Sequence, residues 1–237
     1  MEFDEQWKHL ISEKFLHERN RFELTQKRTD EFLSDIKINK NFDSSKLIRN
    51  KTCLDAGCGI GRWTWVMMKL GPSKLDSFDI SSEAVDVTKK LNPNTRIFDI
   101  LNLKSNPVYD FVLSWNAIHH TKNPKLAFLK LSSQVKSKGW LTIRVYNNEN
   151  DNIFEEGRKM FKHFSFDEKI NFCLEKVKTE GGDIHGWFDI FNPEYNWSFS
   201  PDEITDWFYQ EGFSEIIHIP IKSKWTPNIN VIACKNE

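Results

Sequence analysis

The sequence predicts an α/β fold, a mostly parallel sheet with helices on both faces. Three observations carry this. Between Lys51 and Val145, strand-like apolar runs alternate with helix-like segments, the rhythm of consecutive βαβ units. The first run empties into Asp55-Ala56-Gly57-Cys58-Gly59-Ile60-Gly61, with glycines at alternate positions directly before a helix-compatible apolar segment. The first three strands each close on a carboxylate, Asp55, Asp79 and Asp99. In a parallel sheet those positions converge on one crevice.

Residues 1–48 read as a helical cap. Trp7, Leu10, Ile11, Phe15 and Leu16 recur every three to four positions, as do Phe22, Phe32, Leu33 and Ile36. The first strand is expected at 51–56 and its helix at 62–70, broken by Gly71-Pro72. The second strand runs from Lys74 to Asp79. Ser81 caps the next helix, which extends to Leu91. Asn92-Pro93-Asn94 turns the chain into a third strand, Thr95 to Phe98. The fourth strand spans Tyr109 to Ser114. Asn123-Pro124 opens a helix to about Val135, and Lys138-Gly139 turns into a fifth strand, Trp140 to Val145.

The rhythm breaks over residues 147–199, which hold 11 aromatics in 53 residues. Residues 152–178 read as two helices and Gly181 to Phe199 as a loop. A long loop inside a compact domain is usually functional. Ser200-Pro201-Asp202-Glu203 is a capping sequence for a helix to Gln210. Gly212 ends it, and strands follow at Phe213–Ile219 and Ile229–Cys234. The chain is thus read as one domain, 1–237: cap at 1–48, core at 49–146, insertion at 147–199, and core again at 200–237.

Composition narrows the function. Hydrophobic residues are 39% and charged residues 28%, enough apolar content for a core and against disorder. A net charge of −1 gives no global drive toward nucleic acid, so such a partner is not expected. No apolar run reaches membrane-spanning length, and Met1-Glu2-Phe3-Asp4-Glu5 is no secretory leader. Cys53, Cys58, Cys173 and Cys234 show no C-x-x-C spacing and read as reduced thiols of a cytoplasmic protein. His185, Asp189 and the cysteines lack metal-ligand spacing, so no metal is expected. The oligomeric state is left open, a homodimer included.

The glycine loop carries the chemistry. Its glycines permit positive φ and bring backbone close to a ligand, and the helix behind it offers unpaired N–H groups. The dinucleotide fingerprint G-x-G-x-x-G would place glycine at 62, where Arg62 stands. Asp55-x-Gly57-x-Gly59-x-Gly61 instead resembles the first motif of class I S-adenosylmethionine (SAM)-dependent methyltransferases. Asp110-Phe111-Val112-Leu113-Ser114-Trp115-Asn116-Ala117-Ile118-His119-His120-Thr121 resembles the fourth motif of their small-molecule, UbiE/UbiG-like members. Lys136-Ser137-Lys138-Gly139-Trp140 resembles the family's Lys-Pro-Gly-Gly turn, with Ser137 and Lys138 departing from it.

The resemblance implies a Rossmann-like, seven-stranded sandwich with SAM as cofactor. It places Asp55, Gly57, Gly59, Gly61 and Arg62 around the methionine and sugar. Asp79 takes the ribose hydroxyls, Asp99 takes the adenine amine, and Ile80 and Ile100 sandwich the base. Ser114, Trp115 and Asn116 line the sulfonium side. Arg28 and Thr29 of the cap reach toward the methionine end. His119 and His120 face the acceptor, where a histidine near neutrality could take a proton. Tyr146, Asn147, His185, Asp189 and Tyr195 are the acceptor contacts. The implied reaction is methyl transfer to O, N or S of a small molecule. Rival readings are a tRNA or other nucleic-acid methyltransferase and a non-catalytic SAM-binding protein. An NAD-linked dehydrogenase is disfavoured by Arg62.

Overall fold

The structure is a computed structural model that describes residues 4, 6–8, 45–149, 154–219 and 228–237. Asp4 and Gln6–Lys8 are helical. A short helix α1 (Ser45–Ile48) leads into β1 (Thr52–Ala56), α2 (Arg62–Lys69), β2 (Lys74–Asp79), α3 (Ser82–Thr88) and β3 (Thr95–Ile97). Then come β4 (Tyr109–Trp115), α4 (Pro124–Ser132) and β5 (Val135–Asn147). The insertion supplies α5 (Glu155–Phe161), α6 (Phe166–Glu180), α7 (Ile184–Phe191) and β6 (Ser198–Phe199). The chain closes with α8 (Pro201–Gln210), β7 (Phe213–His218) and β8 (Asn228–Lys235).

The main sheet runs β3-β2-β1-β4-β5-β8-β7, with β6 paired beside β5. Strands β3 to β5 are mutually parallel, and β8 is antiparallel to both β5 and β7. The order reverses between β1 and β4, so the loops leaving those two strands diverge and open a crevice at their carboxyl ends. Apolar side chains cover both faces. Leu54, Val112, Leu141, Ile143, Phe128 and Phe208 form one layer. Cys53, Phe111, Leu113, Met67 and Ile232 form the other. Strand alternation explains the division, since neighbours in β1, β4 and β5 point to opposite faces.

Most expected elements are present, with several differences. The sheet gains an eighth short strand, β6. Helix α3 stops at Thr88 rather than Leu91. Helix α4 stops at Ser132, and β5 begins at Val135, five residues before the expected Trp140. Val135 pairs with Tyr109 before a register shift, and Lys138 at φ 60° makes the bend where a turn was expected. The largest difference is α7, inside the segment read as a loop. Asp183 caps it by accepting from the Gly186 N–H, while Ile184, Trp187, Phe188, Ile190 and Phe191 are buried. Gly181 and Gly182, both at positive φ, belong only to the joint between α6 and α7.

The insertion aromatics interlock. Phe161 lies 5.4–6.1 Å from the rings of Phe164, Phe172, Phe188 and Phe191, the range of favourable edge and tilted pairs. This cluster also takes in Trp7, Ile60 and Ala84, so it is continuous with the glycine loop and α3. Among the described residues no helix is long and apolar enough to cross a membrane.

Candidate functional site

The glycine loop joins β1 to α2 at the sheet's reversal point. Gly57, Gly59 and Gly61 sit at φ 78°, 52° and 84°, where a side chain is strained. A methyl group on Gly57 would come within 2.4 Å of Ala117 Cβ. The Gly57 and Cys58 N–H groups both donate to the Phe78 carbonyl, and Thr88 Oγ1 donates to the Gly59 carbonyl. Asp79 finishes the fixing: one carboxylate oxygen accepts from the Gly59 N–H at 2.8 Å, the other from the Ser81 N–H at 2.9 Å. Its pKa is raised, chiefly by burial. Its two oxygens have about four acceptor sites, so capacity for a ligand remains beyond the Gly59, Ser81 and Ile80 N–H groups.

Asp55 lies beneath this loop, 1% exposed, accepting from Thr64 Oγ1 at 2.6 Å. Burial, with the charge of Asp79 adding to it, raises its pKa to about 7 against the Thr64 hydrogen bond. Gly61, the N-cap of α2, has no side chain to cap the first-turn N–H groups. A bare, positively biased helix start beside a carboxylate and a side-chain-free loop suits a ligand bearing carboxylate, ammonium and sugar hydroxyls. The buried Ser114 Oγ and Asn116 Oδ1 have no hydrogen-bond partner among the described residues. Those atoms and the loop fit a polar cofactor.

The other expected contacts divide. Ile80 is 39% exposed at the end of β2, whereas Ile100 is buried in the core beside Leu103 and Phe128. Asp99 is half-buried and caps its own short turn, accepting from the Leu101 N–H. Ser114 and Trp115, expected to line one space together, lie on opposite sheet faces because they are adjacent in β4. Trp115 packs on Trp63 at 4.4 Å and carries the Arg144 guanidinium over its ring at 5.1 Å. Arg62 is half-buried as the first residue of α2. Arg28 and Thr29 lie outside the described residues.

A second group gathers past the ends of β4 and β5. His119 is fully buried, its ring 4.0 Å from Tyr146 and 4.1 Å from His120. His120 Nδ1 lies 3.1 Å from the Tyr195 carbonyl, and since a carbonyl only accepts, Nδ1 carries the hydrogen. The Trp197 N–H donates to the His119 carbonyl. The two histidines thus hold down the turn between α7 and β6. Burial pushes the His120 pKa down to about 4 and His119 well below the ordinary histidine value. Desolvation therefore keeps both rings uncharged. Burial likewise raises the Tyr146 phenol. Asn147 Oδ1 accepts from the Glu149 N–H, and Tyr195 is half-buried.

The third group is the roof, and sequence reasoning saw only half of it. His185 Nε2 lies 3.2 Å from Asp189 Oδ2, one helical turn along α7. Gln6 reaches this pair from the chain's beginning, with Nε2 at 3.0 Å from His185 Nδ1 and 2.6 Å from Asp189 Oδ1. Trp7 packs against His185 in a tilted pair at 4.7 Å between ring centres, and a methyl on Gly59 would meet the Trp7 ring at 3.2 Å. Asp4 accepts from Ser81 Oγ at 2.6 Å. The N-terminal segment therefore bridges the glycine loop, the start of α3 and the insertion. Asp4 and Gln6 carried no signal in the sequence, and Trp7 was visible only as one position of an apolar stripe.

Comparison with known proteins agrees with this geometry. The family described as "Methyltransferase domain" matches residues 17–218. A mitochondrial ubiquinone biosynthesis O-methyltransferase of Dictyostelium discoideum is 29% identical over 111 residues, 40% of this chain and 35% of that protein. A tRNA U34 carboxymethyltransferase of Actinobacillus pleuropneumoniae is 27% identical over 123 residues, 48% of this chain and 38% of that one. The chain thus spans well under half the length of these relatives. Magnesium protoporphyrin IX methyltransferase from Synechocystis PCC 6803, solved with bound S-adenosylhomocysteine, superposes with a TM-score of 0.54 at 12% identity, covering 89% of this chain and 83% of that one. With a sheet reversing at a glycine loop, a carboxylate fixing that loop, and a family match across most of its length, the chain belongs to the class I SAM-dependent methyltransferases.

Proposed function

We propose that this methyltransferase acts on an O, N or S atom of a small-molecule acceptor, releasing S-adenosylhomocysteine. The observation that carries the reading is the roof. Gln6 and Trp7 join His185 and Asp189 of α7 in a cover over the glycine loop, the kind of cover that suits a small acceptor better than a nucleic-acid strand. A net charge of −1 supports the same choice.

The Asp55–Gly61 loop and the start of α2, with Arg62, hold the methionine end of the cofactor. Asp79 holds the ribose hydroxyls with its remaining lone pairs, and Asp99 the adenine amine above Ile80. Ser114 Oγ and Asn116 Oδ1 are polar partners on the sulfonium side. Bound there, SAM supplies a sulfonium methyl open to displacement by a nucleophilic atom. The protein's own work is alignment and exclusion of water. His119 and His120 act by fixing the 193–197 turn, with Tyr146 and Tyr195 as walls of the acceptor space. The test is S-adenosylhomocysteine formation with a panel of small amines, alcohols, phenols and thiols, run beside bulk tRNA. Turnover confined to tRNA would overturn the reading.

A further inference from the structure

We propose that the His185–Asp189 pair is the acceptor-binding dyad and that it selects a primary amine, a step that rests on the small-molecule reading above. The argument starts from hydrogen positions. A carboxylate only accepts, so His185 Nε2, 3.2 Å from Asp189 Oδ2, carries the ring hydrogen. Asp189 Oδ1 accepts from Gln6 Nε2, and that same NH2 group at 3.0 Å makes the other ring nitrogen, Nδ1, an acceptor.

Gln6 Nε2 stands between them, 3.0 Å from His185 Nδ1 and 2.6 Å from Asp189 Oδ1. Two acceptors define which end of the amide faces them, so the NH2 group occupies the spot and gives one hydrogen to each. The Gln6 Oε1 is buried without a partner among the described residues, so the amide is held by its NH2 end. The position is thus built for a nitrogen with two hydrogens. A hydroxyl has one hydrogen and serves only one of the two acceptors. A carboxylate or phosphate oxygen supplies none and meets the Asp189 charge.

The location suits an acceptor. His185 packs tilted against Trp7, and Trp7 packs against Gly59, so the dyad stands one aromatic ring from the glycine loop. Burial, and after it the Asp189 charge, raises the Tyr146 phenol, so the dyad lies within electrostatic reach of the β5 end. A primary amine bound at the dyad takes the position of the Gln6 NH2, displacing that side chain. If it arrives as an ammonium, one N–H bond breaks, the proton passes to His185 Nδ1, and the electron pair stays on nitrogen as the nucleophile. The imidazolium formed is held by Asp189 through Nε2.

The test uses the full chain and matched pairs of probes: phenethylamine with phenethyl alcohol, and tryptamine with tryptophol. S-adenosylhomocysteine release gives kcat and KM, and calorimetry gives the SAM Kd of each variant. The amines should turn over and the alcohols should not. Asp189→Asn should lower amine kcat/KM by about 100-fold and hold the SAM Kd within about threefold. Gln6→Ala removes a competitor and should lower the amine KM severalfold. Equal use of alcohols, no use of amines, or an unaffected Asp189→Asn variant overturns the proposal. So does an unchanged or raised KM in Gln6→Ala, the deciding variant if Asp189→Asn loses SAM binding through misfolding. A wild-type chain that binds no SAM would instead overturn the reading beneath it.

Discussion

Replacing Asp55 with Asn should stabilise the cofactor-free protein, and by an amount that depends on pH. Asp55 is buried, and its pKa rises from 3.8 to about 7, first through desolvation. A raised pKa means the folded state binds its proton more tightly than the unfolded chain does. The associated stability is fully present below about pH 4 and is lost as pH rises through about 7. At about 1.4 kcal/mol per unit, burying this carboxyl costs the fold, relative to the freely ionised unfolded group, about 4 kcal/mol at pH 8 and about 2 kcal/mol at pH 5. Asparagine keeps an oxygen for the Thr64 hydroxyl and has no proton to lose. Its own packing and hydrogen-bond costs do not vary with pH. Urea unfolding of both proteins at pH 5 and pH 8, without SAM, isolates the titration. The variant's advantage should grow by about 2–3 kcal/mol between the two conditions. An advantage that is flat with pH, or larger at pH 5, would refute the buried-acid argument.

His120→Ala should show the opposite pH dependence. The His120 pKa is lowered from 6.5 to about 4, so its contribution is lost as pH falls through that window; the cost of the substitution at pH 8 should shrink by about 3 kcal/mol near pH 4. Unfolding at the two pH values checks it. Gly57→Ala combines positive φ with a 2.4 Å approach to Ala117 Cβ and should cost about 3 kcal/mol. Gly71→Ala, at φ 74° with open space around it, should cost about 1 kcal/mol; equal effects by denaturant titration would count against the steric reading. Asp79→Ala releases the Gly59 and Ser81 N–H groups along with the proposed ribose contact, and SAM affinity by calorimetry should fall by about 30-fold or more. Unchanged affinity would remove Asp79 from the cofactor site.

The parts legible in the sequence were those where one local pattern has one physical cause. Alternate glycines before a helix, carboxylates at strand ends, and Pro201 behind Ser200 each announce a backbone requirement within a few residues. The fold core followed from these. Helix α7 was obscured because Gly181 and Gly182 precede it and Pro193 follows it, so its buried face was read as loop aromatics. The histidines were visible as residue types, but not their environment. Type and position suggested a base, whereas their protonation depends on burial under the 193–197 turn, a long-range property. The contact of Gln6 with His185 spans 179 positions, and no spacing rule reaches that far. Ser114 and Trp115 show the converse: alternation along a strand alone was enough to separate them.

Incubation with SAM carrying a labelled methyl group, small acceptors and tRNA together tests the function most directly. The label should appear in a small primary amine, with one S-adenosylhomocysteine released per methyl transferred. Label in tRNA, or none transferred to any small acceptor while calorimetry shows SAM bound, would contradict it.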